Sequence, residues 1–414
     1  MQAQPLVTNH SNQVLCQLIA EQIAEAPHQR ITFAEYMEVV LYHPQEGYYA
    51  TNVVNIGADG DFFTSPHLGA DFGELLAEQF VQMWHILGNP IPFTLVEMGA
   101  GQGILAGDIL RYLHRHHADC FAALEYVIVE KSAGLVAEQQ QRLQHFAKIQ
   151  STSGQVLLRW STLEAIAPHS ITGCYFSNEL VDALPVHQVV IQDGKLQEVY
   201  VTTYADSAGN ISFAEVVSEL SSPQLAEYFD WVGIDLSADI YPEGYRSEVN
   251  LAALNWLGTV ADQLQRGYIL TIDYGYPATR YYSPARREGT LQCYYRHTHH
   301  SDPYVHVGRQ DLTAHVDFTA LERWGDRAGL QQVGFTQQGL FLMALGLGDR
   351  LAALSTTNVM GGQGIQELLQ RREALHGLMN PMGLGNFGVL VQSKGLTAAE
   401  NTQPLRGLLA YGTE

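Results

Sequence analysis

The sequence predicts an α/β protein built on a parallel sheet, on three observations. From Phe93 onward short apolar runs alternate with helical spacings, as a sheet covered on both faces requires. One of these runs feeds straight into a glycine-rich turn. Hydrophobic residues make up 46% of the 414, enough for a large core.

Strands are expected at 93–98 (FTLVEM), 125–130 (EYVIVE), 155–160 (QVLLRW), 171–177 (ITGCYFS) and 267–273 (GYILTID), with helices at 103–116, 134–146 and 247–265 between them. Ahead of this core lies an N-terminal helical block over 1–90. Its first helix, 12–26, carries Val14, Leu15, Leu18, Ile19 and Ile23 on one face and ends at Pro27; a second, capped by Thr32, stops at Pro44; a third covers 68–87. The core is expected over 91–183 and 247–395. It is interrupted at 184–246 by an insertion too long for an ordinary connection, in which VHQVVIQDGKLQEVYVTT reads as a hairpin turning at Asp193-Gly194. Beyond 273 follow a segment rich in Tyr, Arg and His, a helix at 318–328, a strand at 333–345, a helix at 363–378, a strand near 386–393 and a tail over 396–414.

Charge narrows the partners. Lys and Arg number 22 against 43 Asp and Glu, a formal net charge of −21, which argues against a nucleic-acid backbone. The four cysteines, Cys16, Cys120, Cys174 and Cys293, form no CxxC and fit a reducing compartment. The start, MQAQPLVTNHSNQ, has neither a basic nor an apolar leader region, and no apolar run approaches membrane-spanning length. The expectation is a soluble cytoplasmic protein without stable membrane insertion.

The most informative segment is LVEMGAGQG, 95–103, where a strand meets Gly99, Ala100, Gly101 and Gly103. Glycines there let the backbone turn sharply and approach a ligand, although such turns also serve packing. The second strand ends in Glu130, where an α/β nucleotide site sets a carboxylate against the ribose hydroxyls. A nicotinamide dinucleotide would need GxGxxG and a pyrophosphate at the helix start. Here the spacing is GxGxG, and Glu97 precedes it by two residues. A carboxylate so close repels a pyrophosphate but suits an ammonium and a sulfonium, so S-adenosyl-L-methionine is the favoured cofactor. Trp160-Ser161-Thr162, closing the third strand, sits where an adenine could be flanked, though a core aromatic would look the same.

After the fourth strand, CYFSNELVDALPVH sets Asn178, Glu179 and Asp182 at the end where open α/β sheets bind ligands. A helix cap with a proline stop would use the same residue types. A carboxylate pair beside a sulfonium would instead hold a cationic acceptor and help remove a proton during methyl transfer. His114, His116 and His117 read as a solvated helix end. His297, His299, His300, Asp302, His306, His315 and Asp317 lack any ligand spacing, so no metal is expected, and Asp317 reads first as a helix cap. Tyr281, Tyr282, Arg286, Arg287, Tyr294, Tyr295 and Arg296 fit a lid, a docking surface or a packed loop equally.

The segments LYHPQEGYYA, DFFTSP, VEMGAGQG, SNELVDALPVH, TIDYGY and DLTAHVDFTAL together resemble the MidA-type class I methyltransferases associated with assembly of the respiratory NADH dehydrogenase complex. The resemblance spans about 30 to 345; Gln102 occupies a variable loop position, and MGLGNFGVLVQSK matches only loosely. It implies a Rossmann-like class I methyltransferase sheet with an N-terminal helical block over the cofactor and a substrate-covering insertion. It implies that Tyr49, Phe63, Thr64, Ser65 and Pro66 join Glu97, the glycine loop, Glu130, Trp160, Ser161, Asn178 and Glu179 around S-adenosyl-L-methionine, with S-adenosyl-L-homocysteine as product. It also implies protein arginine as the acceptor, with a subunit of an NADH dehydrogenase-type complex as partner, and places His315 and Asp317 toward the acceptor beside Glu179 and Asp182. A small-molecule methyltransferase and a non-catalytic cofactor-binding assembly factor are the alternatives. An oligomer is compatible with all of these.

Overall fold

The computed structural model describes residues 10–51, 64–150, 152, 154, 157–205, 211–296, 298–356 and 362–409. Seven strands form the main sheet: β1 (Phe93–Met98), β2 (Leu124–Val129), β3 (Leu158–Ser161), β4 (Ile171–Asn178), β5 (Leu264–Asp273), β6 (Gln331–Gln337) and β7 (Gly388–Lys394). Their order is β6-β7-β5-β4-β1-β2-β3. Neighbours among β1 to β5 pair in parallel, and β7 runs antiparallel to both β5 and β6. From β1 the chain steps outward to β3, then returns to β4 on the other side and steps away again. The carboxyl end of the β1/β4 pair is therefore a topological switch point, where the connecting loops part and leave a crevice. This is the Rossmann-like class I arrangement expected.

Every residue of β1 and β2 is buried, which is why both read as continuous apolar runs rather than alternating ones. Phe72, Phe80, Leu95, Ile109, Tyr126, Phe176 and Leu270 belong to one core, with the Phe80 and Phe176 rings 4.9 Å apart. Helix Asp71–Ile86 thus packs with the sheet, so the block expected over 1–90 divides. The chain forms two compact units, one of 1–62, 183–253 and 278–315, the other holding the main sheet in 63–182, 254–277 and 316–414.

The smaller unit has its own core, including Phe33, Tyr36, Val201, Phe213 and Leu312. Helix Phe33–Tyr42 starts in a capping box between Thr32 and Glu35. Strands His187–Gln192 and Lys195–Ala205 form the expected hairpin, with Asp193 and Gly194 at φ +52° and +67° as a two-residue turn requires.

Three expectations are corrected. Residues 247–249, read as a helix start, belong to the strand Arg246–Val249 beside His187–Gln192, and the helix Leu251–Gln263 begins only after Asn250, whose Oδ1 accepts the Ala253 N–H at 2.8 Å. The strand expected over 333–345 ends at Gln337 and continues as helix Gln338–Ala344. There Phe341, Leu342 and Leu345 are buried while Leu340 is exposed; an apolar run alone does not distinguish helix from strand. The expected tail joins the fold over its described residues, 396–409: Leu405 is buried in the main core, and the Gly407 N–H donates to Gln79 Oε1 at 2.9 Å.

Candidate functional site

The glycine loop closes β1 in the manner its composition requires. Gly99, Gly101 and Gly103 stand at φ +68°, +52° and +73°, backbone that side chains seldom adopt. The Gly99 N–H extends the ladder to Val129 O at 2.9 Å, and the Gly103 N–H returns to Ala100 O at 2.8 Å before helix Ile104–His116 starts. Beneath the loop, Glu97 is buried and accepts the Tyr126 hydroxyl at 2.6 Å. Burial, with nearby Glu130, raises the Glu97 carboxyl to about 7, against the pull of Tyr126.

Glu130 follows β2 and is half-buried. Its Oε1 accepts the Ser132 N–H at 3.0 Å and its Oε2 the Gln139 amide at 3.2 Å. Gln139 also donates to Gly101 O at 2.7 Å and accepts from the Trp160 indole N–H at 2.9 Å. Loop, carboxylate and indole are thereby joined through one residue that sequence reading passed over. Its signal was available: Leu135, Gln139 and Leu143 are the buried residues of their helix, spaced by four, so a polar residue sits in the middle of an apolar stripe. Ser161, at the end of β3, bonds its hydroxyl to the neighbouring Thr162 carbonyl at 3.0 Å.

The ends of β4 and β5 concentrate acid. Asn178 Nδ2 donates to Glu179 Oε1 at 3.0 Å, while Asn178 Oδ1 is buried with no hydrogen-bond partner among the described residues. Glu179 stands at φ +52°, its N–H on Ile272 O at 2.9 Å. Burial of its carboxyl group and the neighbouring Asp182 raise Glu179 to about 8. Asp182 accepts the Tyr274 hydroxyl at 2.7 Å. Asp273, fully buried at the end of β5, takes the N–H groups of Val181, Asp182 and Tyr274 at 2.9, 3.2 and 2.8 Å. Burial first, then Asp182 and Glu179, lift Asp273 well above the usual carboxylate range. Asp273 and Tyr274 were absent from the expected site, although a carboxylate ending a strand beside the switch point is a signal for them.

Segment 64–68 belongs to this unit too. The Ser65 N–H points to Glu179 Oε1 at 3.4 Å, the Ser65 hydroxyl meets the buried Gln338 amide, and Pro66 lies in the short turn Ser65–Leu68. Thr64 Oγ1 lies 2.7 Å from His67 Nδ1, whose Nε2 lies 3.2 Å from Gln102 Oε1. Neither His67 nor Gln338 was singled out in the sequence. Asp317 caps helix Phe318–Arg327 by accepting the Ala320 N–H at 3.2 Å. Tyr49 and His315 lie in the smaller unit: Tyr49 donates to Asp311 at 3.0 Å, and the His315 N–H to Thr290 Oγ1 at 3.1 Å. Burial, with Arg286 and Arg280 nearby, pushes His315 down to about 4. Phe63 and His297 fall outside the described residues.

These residues fit a cationic, hydroxyl-bearing cofactor. A Cβ on Gly101 would meet nothing within 4 Å among the described residues, so the loop leaves an open cradle. Glu130 stands half-buried at its edge, and Asn178 Oδ1, buried with no partner among the described residues, is an acceptor for a ligand donor. The profile of the S-adenosyl-L-methionine-dependent methyltransferase family matches residues 75–336. The chain belongs to this family. It is 33% identical over 346 residues to the mitochondrial protein arginine methyltransferase NDUFAF7 homolog of Drosophila melanogaster, covering 80% of this chain and 74% of that one. The human protein arginine methyltransferase NDUFAF7 is 28% identical over 421 residues, 93% of this chain and 86% of the relative. A Burkholderia thailandensis protein crystallised with S-adenosyl-homocysteine superposes with a TM-score of 0.78 at 32% identity, over 95% of this chain and 94% of its own. The protein is a methyltransferase that uses S-adenosyl-L-methionine.

Proposed function

We propose that this methyltransferase modifies an arginine guanidinium of a partner protein. The observation that carries the reading is the acidic trio Glu179, Asp182 and Asp273 gathered at the ends of β4 and β5, where burial and mutual repulsion push the Glu179 and Asp273 carboxyls above the ordinary carboxylate range. Carboxylates held this way are relieved by an arriving cation, and a planar guanidinium can engage them in paired hydrogen bonds. The names of the Drosophila and human relatives support the same acceptor.

Bound S-adenosyl-L-methionine supplies an electrophilic methyl group on a sulfonium. In this reading the backbone of Gly99, Ala100, Gly101 and Gly103 approaches it, Glu130 accepts from the ribose hydroxyls, and Trp160 and Ser161 stand at the adenine end. Glu97, below the loop, takes on negative charge as the cationic cofactor arrives, and Asn178 Oδ1 accepts a ligand hydrogen. Glu179 and Asp182 orient the guanidinium, hold its charge on the nitrogen not attacked, and receive the proton released after transfer. The family resemblance supports a subunit of an NADH dehydrogenase-type complex as partner. Four buried free cysteines support a reducing compartment, the cytoplasm.

The test incubates pure protein with radiolabelled S-adenosyl-L-methionine and a lysate of its own cell and locates the label by mass spectrometry. Methylarginine in a protein is the expected result. Label confined to small molecules, or to another side chain, overturns the reading.

A further inference from the structure

Gln139 is polar, fully enclosed and midway between Leu135 and Leu143 on a helix face that otherwise buries apolar residues. An enclosed amide costs free energy unless both its ends are satisfied, and here both are. The nitrogen faces two acceptors, Gly101 O at 2.7 Å and Glu130 Oε2 at 3.2 Å, and the oxygen faces one donor, the Trp160 indole, at 2.9 Å. Among side chains only an amide offers two donors and a separate acceptor from one planar terminus at neutral pH. A Cβ on Gly103 would sit 3.2 Å from Gln139 Cγ, so the loop glycine also packs on the same side chain.

We infer that Gln139 is the positioning residue of the cofactor site, setting the glycine loop, the ribose-facing carboxylate and the adenine-side indole in register through one amide. The inference deepens the reading above and rests on Glu130 and Trp160 as cofactor contacts. It has a chemical consequence. The indole N–H is spent on Gln139, so Trp160 offers a base its ring and no hydrogen bond. Glu130 accepts the Ser132 N–H and the Gln139 amide, and the backbone N–H groups of Lys131 and Gly101 also act on its carboxyl, so the amide and the glycine loop together hold the ribose-facing group.

The experiment measures S-adenosyl-L-homocysteine binding by calorimetry, melting temperature, and the Trp160 indole N–H resonance in the full-length protein. Gln139→Leu should weaken binding about tenfold to thirtyfold and shift the Trp160 resonance before any ligand is added. Combined with Glu130→Ala it should cost much less than the product of the two single effects, because the amide acts through that carboxylate. Gln139→Glu keeps the shape but aims an oxygen at Gly101 O and Glu130. Burial and Glu130 raise the introduced carboxyl, so it is ionised at high pH and able to donate again at low pH. Relative to wild type at the same pH, its affinity should be poor at pH 8 and recover toward pH 5.5, which a purely structural role would not produce. Should Gln139→Leu fail to fold, the two-pH comparison decides alone. Wild-type affinity at both pH values in Gln139→Glu, with Glu130→Ala weakened, overturns the inference and leaves the cofactor contacts standing. Unchanged affinity in Glu130→Ala overturns those contacts and the inference with them.

Discussion

Asp273 accepts the backbone N–H of Asp182 at 3.2 Å, so one acid fixes the turn that carries another. The same carboxylate takes the Val181 N–H at 2.9 Å and the Tyr274 N–H at 2.8 Å. Just ahead, Glu179 is held in left-handed backbone, a conformation costing about 1–3 kcal/mol that persists only where its surroundings enforce it. The bond from Glu179 N–H to Ile272 O and the bonds gathered by Asp273 do the enforcing.

Asp273→Ala should therefore leave buried N–H groups unpaired and lower stability by about 3 kcal/mol, with loss of methyl transfer. Asp273→Asn keeps one acceptor oxygen and should fall between. Urea unfolding of both variants measures this, and a wild-type midpoint for Asp273→Ala would remove Asp273 from its holding role.

Glu179→Gln and Asp182→Asn each remove a charge-assisted contact to the acceptor that strengthens as the transfer proceeds. A loss of about 3 kcal/mol slows turnover roughly a hundredfold, while S-adenosyl-L-homocysteine affinity moves much less. Single-turnover transfer to an arginine-containing partner, set beside calorimetry, separates the two effects. Wild-type transfer by both variants would detach these carboxylates from the acceptor.

How much of this was legible in the sequence depends on whether a residue's role is local. The glycine loop, Glu130 and the Asn178–Asp182 turn were readable because each lies directly beyond an apolar strand, and strand ends mark the ligand side of a parallel sheet. Gln139 acts across space on Gly101 and Trp160, 38 and 21 residues away, and its place between Leu135 and Leu143 marks it as buried without showing what it binds. Gln338 was hidden by a wrong period: 333–345 looked like one strand, so the turn into a helix that buries this side chain against Ser65 did not show. The early chain was misjoined for a related reason. Helix Asp71–Ile86 has the same helical spacing as the helices before it, and only its packing shows that it belongs with the sheet.

The raised carboxyls make stability depend on pH. Glu97 at about 7 and Glu179 at about 8 keep protons that the unfolded chain has given up near pH 4.3. The folded state binds more protons across that interval, so stability is full below about pH 4.3 for these groups and is lost as pH rises through 7 and 8. The melting temperature should fall between pH 6 and pH 8.5, and less steeply in Glu97→Gln and Glu179→Gln. Equal slopes in the wild type and both variants would mean that neither carboxyl is raised.

Gly101 and Gly103 share a backbone region but not a neighbourhood, and that difference separates cradle from scaffold. Alanine at either position bears the left-handed penalty of about 1–2 kcal/mol. At Gly101 the added carbon meets nothing within 4 Å among the described residues, so against these the cost is backbone strain alone. The carbon does, however, occupy the space into which the cofactor must come, and affinity for S-adenosyl-L-homocysteine should drop more than about tenfold, a larger loss than the strain alone explains. At Gly103 the carbon presses on Gln139 Cγ at 3.2 Å and Leu143 Cδ1 at 3.4 Å, so stability itself should suffer by a further kcal/mol or so, about what a small overpacking costs. Melting and calorimetry on the two variants should thus give opposite rankings. Gly101→Ala is expected to be the more stable and the weaker binder per unit of stability lost. A Gly101→Ala protein that binds the product as tightly as wild type would mean that the cofactor backbone does not enter the loop there.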